Sequence, residues 1–316
     1  MNKFTNHSMH EIIGILKKDY DLANKEIIEF EVINPDLFSS KYNGELVCLG
    51  DTEYIYRSYK SWVDLSQKMY CKILTPTIFS EETVIIRFEK LNLEDSFHKI
   101  KLEKEEKYGT NSTFSLINKN EEPEILLTYL EALKNVKIQT KTRVLNLGIN
   151  SADEFELIQK YCKNFSDIEF VGIDYCESAI KLAKEKFKES ENVSLYSYDI
   201  NNLQELDLGE FDLIISIGTL QSSNLDFNKI FMNIVQNYLK KDGSMILGFP
   251  NSRWIDGEII YGAKAPNYSF SEMSILFKDA YFCKKYLQQK KFRVTLTGKY
   301  YVFLTATSIR KDSLSQ

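Results

Sequence analysis

Gly148, Asn150 and Asp174 have the types and order needed to hold a ligand that carries a ribose. Gly148 ends a short apolar run, Val144–Leu147, and opens a turn of mostly small residues, Gly148-Ile149-Asn150-Ser151-Ala152. A ligand approaches such a turn closely, so side chains there must be small and some residues must take positive φ. Glycine does this freely, and asparagine is among the residues that best tolerate the left-handed region. Ser151-x-x-Glu154 reads as a capping box that starts the following helix. A second apolar run, Phe170–Ile173, ends on Asp174. A carboxylate there can accept hydrogen bonds from both ribose hydroxyls. The plainer alternative is that Asp174 caps the next helix.

Asp199 follows a third run, in Tyr198-Asp199-Ile200-Asn201. It can accept an adenine amino group while Tyr175 and Ile200 sandwich the ring; a turn-forming aspartate is the alternative. A nicotinamide fingerprint wants glycine at 148, 150 and 153, where this chain has Gly148, Asn150 and Asp153. No Gly-Lys-Ser/Thr phosphate loop follows, and an acid at 153, near a helix N-terminus, would repel a pyrophosphate. The expected ligand has no phosphates.

These residues need an alternating scaffold. Strands are predicted at Val144–Leu147, Phe170–Ile173, Val193–Tyr198, Phe211–Ile217 and Ser244–Phe249. Helices are predicted between them at Asp153–Cys162, Glu177–Glu189 and Asn228–Leu239. Continuous apolar strands alternating with helices indicate an α/β fold with a parallel sheet covered on both faces. An amphipathic helix over Glu121–Asn135 precedes this block. A helix at Ser271–Gln289 and two strands, Phe292–Gly298 and Tyr301–Ile309, close it as an antiparallel hairpin. Upstream, Ile27–Ile33 and Val84–Leu91 read as strands, Gly44–Tyr56 supplies one or two more, and Trp62, Leu65, Met69 and Ile73 make a helical stripe. The expected domains are a small α+β domain over 1–98, a linker over 99–120 and the α/β domain over 121–311.

The chain of 316 residues has room for two domains, and 43% hydrophobic residues suffice for two cores. The net charge of −5 disfavours a bare nucleic-acid backbone as partner. Five scattered cysteines, none at a metal-knuckle spacing, predict reduced thiols, a cytoplasmic location and no metal. The apolar cluster Ile12–Leu16 is too short and polar for a signal peptide, and no run reaches the ~18 apolar residues of a membrane helix.

Across roughly Glu121–Arg310, the order of these pieces resembles a class I S-adenosylmethionine-dependent methyltransferase, a seven-stranded Rossmann-like fold with a terminal antiparallel hairpin. VLNLGINSADE resembles that family's first motif, with Asn146 and Asn150 where an acid and a second glycine are usual. FVGIDYCESAIKLAKEK places Asp174 at the ribose-binding acid, and YSYDINNL places Asp199 in the adenine-binding segment. FDLIISIGTLQSS resembles the fourth motif, and LKKDGSMILGFPN the turn and fifth strand. The resemblance implies that Asn146, Gly148, Asn150, Asp174, Tyr175, Asp199, Ile200, Ser216 and Gly218 bind S-adenosylmethionine, with Ser216–Thr219 along its methionine end. It also implies that the loop around Tyr108–Lys119 closes over the cofactor; a plain linker is the alternative.

The fourth motif has neither the Asn/Asp-Pro-Pro-aromatic run of amino-group methylation nor a Pro-Cys nucleophile. Ile217-Gly218-Thr219-Leu220-Gln221 is closer to small-molecule enzymes of the family. The histidines His7, His10 and His98 all lie outside the α/β domain, so no histidine base is expected within it, although His98 can reach in from the linker. The catalytic residue is therefore not identified. Acceptor recognition is expected from Gln221 and from the segment after the fifth strand, with Asn251, Arg253, Trp254, Tyr261 and Tyr268. Arg253 can hold a carboxylate or phosphate bidentately, or take part in an internal ion pair. The expected function is methyl transfer to a small molecule, with RNA or protein acceptors second. The N-terminal domain is expected to select substrate or form a homodimer. The rivals are a non-catalytic cofactor-binding or scaffold protein, motivated by the altered first motif, and an oxidoreductase.

Overall fold

The computed structural model describes residues 1–22, 26–95, 109, 112–222, 224–263 and 271–310. The chain divides into two compact units, Met1–Ser96 with Trp254–Ile260, and Phe97–Arg253 with Tyr261–Gln316.

The first unit runs β1 (Asn2–Lys3), α1 (Met9–Leu22), β2 (Ile27–Ile33), β3 (Leu46–Leu49), β4 (Thr52–Ile55), α2 (Tyr59–Lys68), β5 (Cys71–Ile78) and β6 (Thr83–Lys90). Its main sheet has the order β1-β2-β6-β5, and β3 and β4 form a separate hairpin. Phe4, Ile12, Leu16, Phe30, Trp62 and Phe88 fill the core. The helical stripe expected through Ile73 is corrected here. α2 stops at Lys68, Tyr70 takes φ 52°, and Ile73 lies in β5. The β5–β6 register shifts between Leu74 and Thr77, around Pro76, which cannot donate to a ladder.

The second unit contains α3 (Pro123–Asn135), β7 (Arg143–Leu147), α4 (Asp153–Tyr161), β8 (Glu169–Asp174), α5 (Glu177–Lys186), β9 (Val193–Ser197), β10 (Phe211–Ile217), α6 (Phe227–Asn237) and β11 (Leu239–Pro250). There follow β12 (Ser252–Ile255), β13 (Glu258–Tyr261), α7 (Ser274–Gln289), β14 (Phe292–Thr297) and β15 (Tyr301–Ser308). The sheet order is β14-β15-β11-β10-β7-β8-β9, and β15 runs antiparallel to both of its neighbours. This is the expected seven-stranded Rossmann-like sheet with its terminal hairpin. Strand order reverses between β7 and β10, the crevice where open α/β sheets bind ligands.

Two local expectations fail. Leu239 begins β11 rather than ending α6, because it pairs with Phe211 and the register then slips to Leu213↔Ser244. The segment after β11 is a hairpin, β12–β13, turning on Asp256 (φ 49°) and Gly257 (φ 78°). Its tip, Trp254–Ile260, is part of the first unit. There Ile255 and Ile260 pack with Leu91 and Tyr70, and the Asp256 carboxylate accepts the Asn92 N–H at 2.9 Å. The charge run Lys99–Lys107, His98 and Tyr268 lie outside the described residues. No helix among the described residues is long and apolar enough to cross a membrane.

Candidate functional site

The turn leaving β7 drapes over the end of β8. The N–H groups of Gly148 and Ile149 both donate to the Ile173 carbonyl, at 2.7 and 3.1 Å. Gly148 takes φ 78°, and a Cβ there would lie 1.7 Å from Thr219 Oγ1. Asn150 (φ 50°) and Ala152 (φ 65°) adopt the left-handed region, so the small-residue turn is built as its composition predicts. The capping box is not. Ala152 is the N-cap of α4, no side chain caps the helix, and Ser151 Oγ donates to Asp153 Oδ1 at 3.1 Å. Glu154 is thereby released from the role its spacing suggested.

Asp174 holds this turn from the next strand. Its Oδ2 accepts the Asn150 N–H at 2.8 Å and its Oδ1 the Cys176 N–H at 2.9 Å. It therefore also holds the backbone at Cys176, the N-cap of α5, without itself capping that helix. Burial raises its pKa, and the N–H donors and Lys119 only partly oppose that. Asn146 is 1% exposed, and its Nδ2 has no hydrogen-bond partner. Across the switch point, Ser216 Oγ donates to the Leu147 carbonyl at 3.0 Å, and Thr219 Oγ1 faces the Gly148 carbonyl at 3.5 Å. Gly218 takes φ 75° with Tyr301 and Pro250 close by, and Gln221 Oε1 is buried without a hydrogen-bond partner.

Charge gathers behind the turn. Glu154 is pushed up to about 7, mainly by burial, with Asp153 and Asp174 adding and Lys119 opposing. Burial pulls Lys119 down, but Tyr301, Glu154 and Asp153 together carry it above its ordinary value. Its ammonium lies 5.3 Å from the centre of the Tyr301 ring. The Tyr129 hydroxyl is pushed well upward by burial and then by Glu154, has no hydrogen-bond partner, and its ring stacks on Phe303. Lys119 ends the loop that the sequence places over the cofactor, and Tyr129 lies on the amphipathic face of α3.

At the far end, Tyr175 is 51% exposed and Ile200 is buried. Asp199 Oδ1 accepts the Asn201 N–H at 2.8 Å and caps a short 3₁₀ turn, the plainer of its two expected roles. Among the expected acceptor residues, Asn251 is fully engaged. Its Nδ2 donates to the Lys299 carbonyl and its Oδ1 accepts the Ala263 N–H. Arg253 donates to Ser271 Oγ at 3.2 Å, and Tyr261 Oη lies 4.0 Å from Met273 Sδ. Trp254 belongs to the first unit, and Tyr268 lies outside the described residues.

Residues 138–293 match the methyltransferase domain family. No curated protein matches the chain. Among solved structures, precorrin-6y C5,15-methyltransferase from Geobacter metallireducens GS-15 is similar at 15% identity, over 57% of this chain and 86% of that one, TM-score 0.39. TehB from Haemophilus influenzae is similar at 15% identity, over 73% and 72%, TM-score 0.39. Magnesium protoporphyrin IX methyltransferase from Synechocystis PCC 6803, with bound S-adenosylmethionine, is similar at 15% identity, over 64% and 87%, TM-score 0.39. The similarity to the methyltransferase domain family thus spans just under half of the chain.

Proposed function

We propose that the protein moves a methyl group from S-adenosylmethionine to a small-molecule acceptor, with the crevice between β7 and β10 as the cofactor site. The observation that carries this is the Asp174 carboxylate set against the Gly148–Ala152 turn at the strand-order switch. The residues fit the group. Gly148 leaves a cradle that a Cβ would fill, and Asn146 Nδ2 is a buried donor without a partner. When bound, the cofactor supplies an electrophilic methyl on a sulfonium.

In this reading Asp174 holds the ribose hydroxyls, and Tyr175 and Ile200 flank the adenine, with Asp199 at its edge. Gly148 and Asn150 admit the chain towards the amino-acid end, and Ser216 and Gly218 shape the floor. Gln221, Arg253 and Tyr261 are the acceptor candidates, with Asn251 holding the segment that carries them. Methyl transfer needs an acceptor placed in line with the sulfonium, and positioning supplies much of the rate. An amine or ionised oxygen needs no histidine base, and none is present over residues 121–316. The net charge of −5 supports a small acceptor over a nucleic acid. The N-terminal unit would serve acceptor selection or self-association.

The test is calorimetric titration with S-adenosylmethionine and S-adenosylhomocysteine, on the wild type and on Asp174→Ala. Micromolar binding lost in the variant supports the site and licenses an acceptor screen with labelled methyl donor. Absence of binding by the wild type overturns it. Tight binding with no transfer to any extracted metabolite pool would favour the non-catalytic reading that Asn146 and Asn150 motivate.

A further inference from the structure

In the first unit, Arg57 is a buried charge without a counter-charge. It is 6% exposed, and its guanidinium donates only to two backbone carbonyls, those of His7 at 2.6 Å and Ile55 at 3.4 Å. No carboxylate among the described residues pairs with it; burial lowers its pKa, and no neighbouring charge opposes that. Buried cations are ordinarily paired, because desolvating a lone charge is expensive. Two neighbouring nitrogens are orphaned as well. Trp62, 1% exposed, lies under the guanidinium with its ring centre 5.8 Å from Cζ, and its Nε1 has no hydrogen-bond partner. His7, whose carbonyl the guanidinium holds, has a buried Nδ1 that also lacks one. An indole N–H and a guanidinium can only donate. Whatever completes them must accept hydrogen bonds and carry negative charge.

The two helix starts beside this cluster differ. Ser8, next to His7, opens α1 with a closed capping box: Glu11 Oε2 accepts the Ser8 N–H at 2.7 Å, and Ser8 Oγ accepts the Glu11 N–H at 3.3 Å. Ser58, next to Arg57, opens α2 with no side-chain cap and no acid in the first turn. The positive end of α2 therefore adds to the guanidinium instead of being neutralised. His7 and Ser58 are half-buried, so the cluster reaches the surface through them. We propose that Arg57, Trp62 and the start of α2 form an oxyanion-binding site in the N-terminal unit, taking the carboxylate or phosphate group of a small molecule. The planar fork of an arginine suits either group. This site shares no residue with the cofactor site and needs no methyl transfer.

Trp62 is the reporter. The chain has only two tryptophans, so in Trp254→Phe the indole fluorescence is that of Trp62 alone. This protein, and the same protein carrying Arg57→Met or Arg57→Lys, is titrated with sodium acetate and with sodium phosphate at constant ionic strength, sodium chloride being the control. Thermal unfolding in chloride checks each fold. The expected result is a saturable change with a roughly millimolar midpoint for acetate, phosphate or both, absent with chloride. It is lost in Arg57→Met and weakened about tenfold or more in Arg57→Lys, which keeps the charge but not the fork. An anion that binds also raises the melting temperature of the wild type above its value in chloride. A response to acetate alone assigns the site to a carboxylate, and one to phosphate alone to a phosphate. No saturable response to either anion, or an unchanged midpoint in Arg57→Met, overturns the site. Should Arg57→Met not fold, the same comparison on Arg57→Lys decides.

Discussion

The Asp174 carboxylate accepts the backbone N–H of Asn150 at 2.8 Å, tying the tip of one strand to the turn that leaves its neighbour. One side chain thus fixes the turn and presents acceptor lone pairs beside it. Asp174→Ala is expected to weaken S-adenosylhomocysteine at least 100-fold and to cost about 1–3 kcal/mol of stability, by leaving the Asn150 and Cys176 N–H groups unpaired. Asp174→Asn keeps one acceptor oxygen, so it should recover part of the stability but little of the affinity. Calorimetry and chemical unfolding on the two variants check this; equal affinity in wild type and Asp174→Ala would remove the residue from the site.

Gly148 is constrained twice, by φ 78° and by Thr219 Oγ1 lying 1.7 Å from where a Cβ would sit. Gly148→Ala is expected to cost about 2 kcal/mol or more and to abolish cofactor binding, since either the turn or Thr219 must move. Adding Thr219→Ala relieves only part of the clash, because the positive φ and Thr219's own Cβ remain. A double variant as stable as the wild type in urea would contradict this.

Much of the architecture was legible because the buried strands are written as continuous apolar runs. Val144–Leu147, Phe170–Ile173 and Phe211–Ile217 pair side by side at the centre of the sheet. What escaped was decided by local geometry or by short segments. Ile73 fits a helical stripe by spacing, but the chain turns at Tyr70 and its neighbours alternate as a strand. The β12–β13 hairpin has a plain signal, Asp256-Gly257 between apolar-rich flanks. Ser151 and Glu154 have capping-box spacing, yet the left-handed Ala152 moves the helix start to Asp153. Glu154 was therefore hidden behind a structural role it does not fill. The contacts of Lys119 with Tyr301 and of Tyr129 with Phe303 arise through tertiary packing, which no motif encodes.

The pKa of Glu154 predicts a pH trend for stability. Burial raises it from 4.5 to about 7, against Lys119 and with Asp153, Asp174 and Tyr129 facing it. A raised acid stabilises the fold while protonated, and that contribution is lost as pH rises from about 4.5 through about 7. Glu154→Gln should therefore be more stable than the wild type at pH 8, by up to about 3 kcal/mol, and no more stable at pH 4.5. Urea unfolding across that range checks this; parallel curves for the two proteins would remove Glu154 as the titrating group.

Asp212 lies at the opposite end of β10 and should govern acid stability without touching the cofactor. Burial tends to raise its pKa, but hydrogen bonds from Lys240 (2.8 Å), the Thr142 hydroxyl and the Thr142 and Arg143 N–H groups (both 2.9 Å) hold it well below the usual carboxylate range. These bonds join the starts of β7 and β11 to β10. A depressed carboxylate contributes stability above its unfolded value near 3.8 and loses it as pH falls further. Asp212→Asn should cost about 2 kcal/mol or more at pH 7, where it loses charge-assisted bonds, and progressively less towards pH 2. Its affinity for S-adenosylhomocysteine should match the wild type within twofold, because the bonds it makes lie at the strand starts and the ligand crevice at their ends. Unfolding curves at pH 7, 5 and 3 with one titration at pH 7 decide it: a constant stability gap down to pH 3, or a large loss of affinity, would refute this division of labour between the two ends of the sheet.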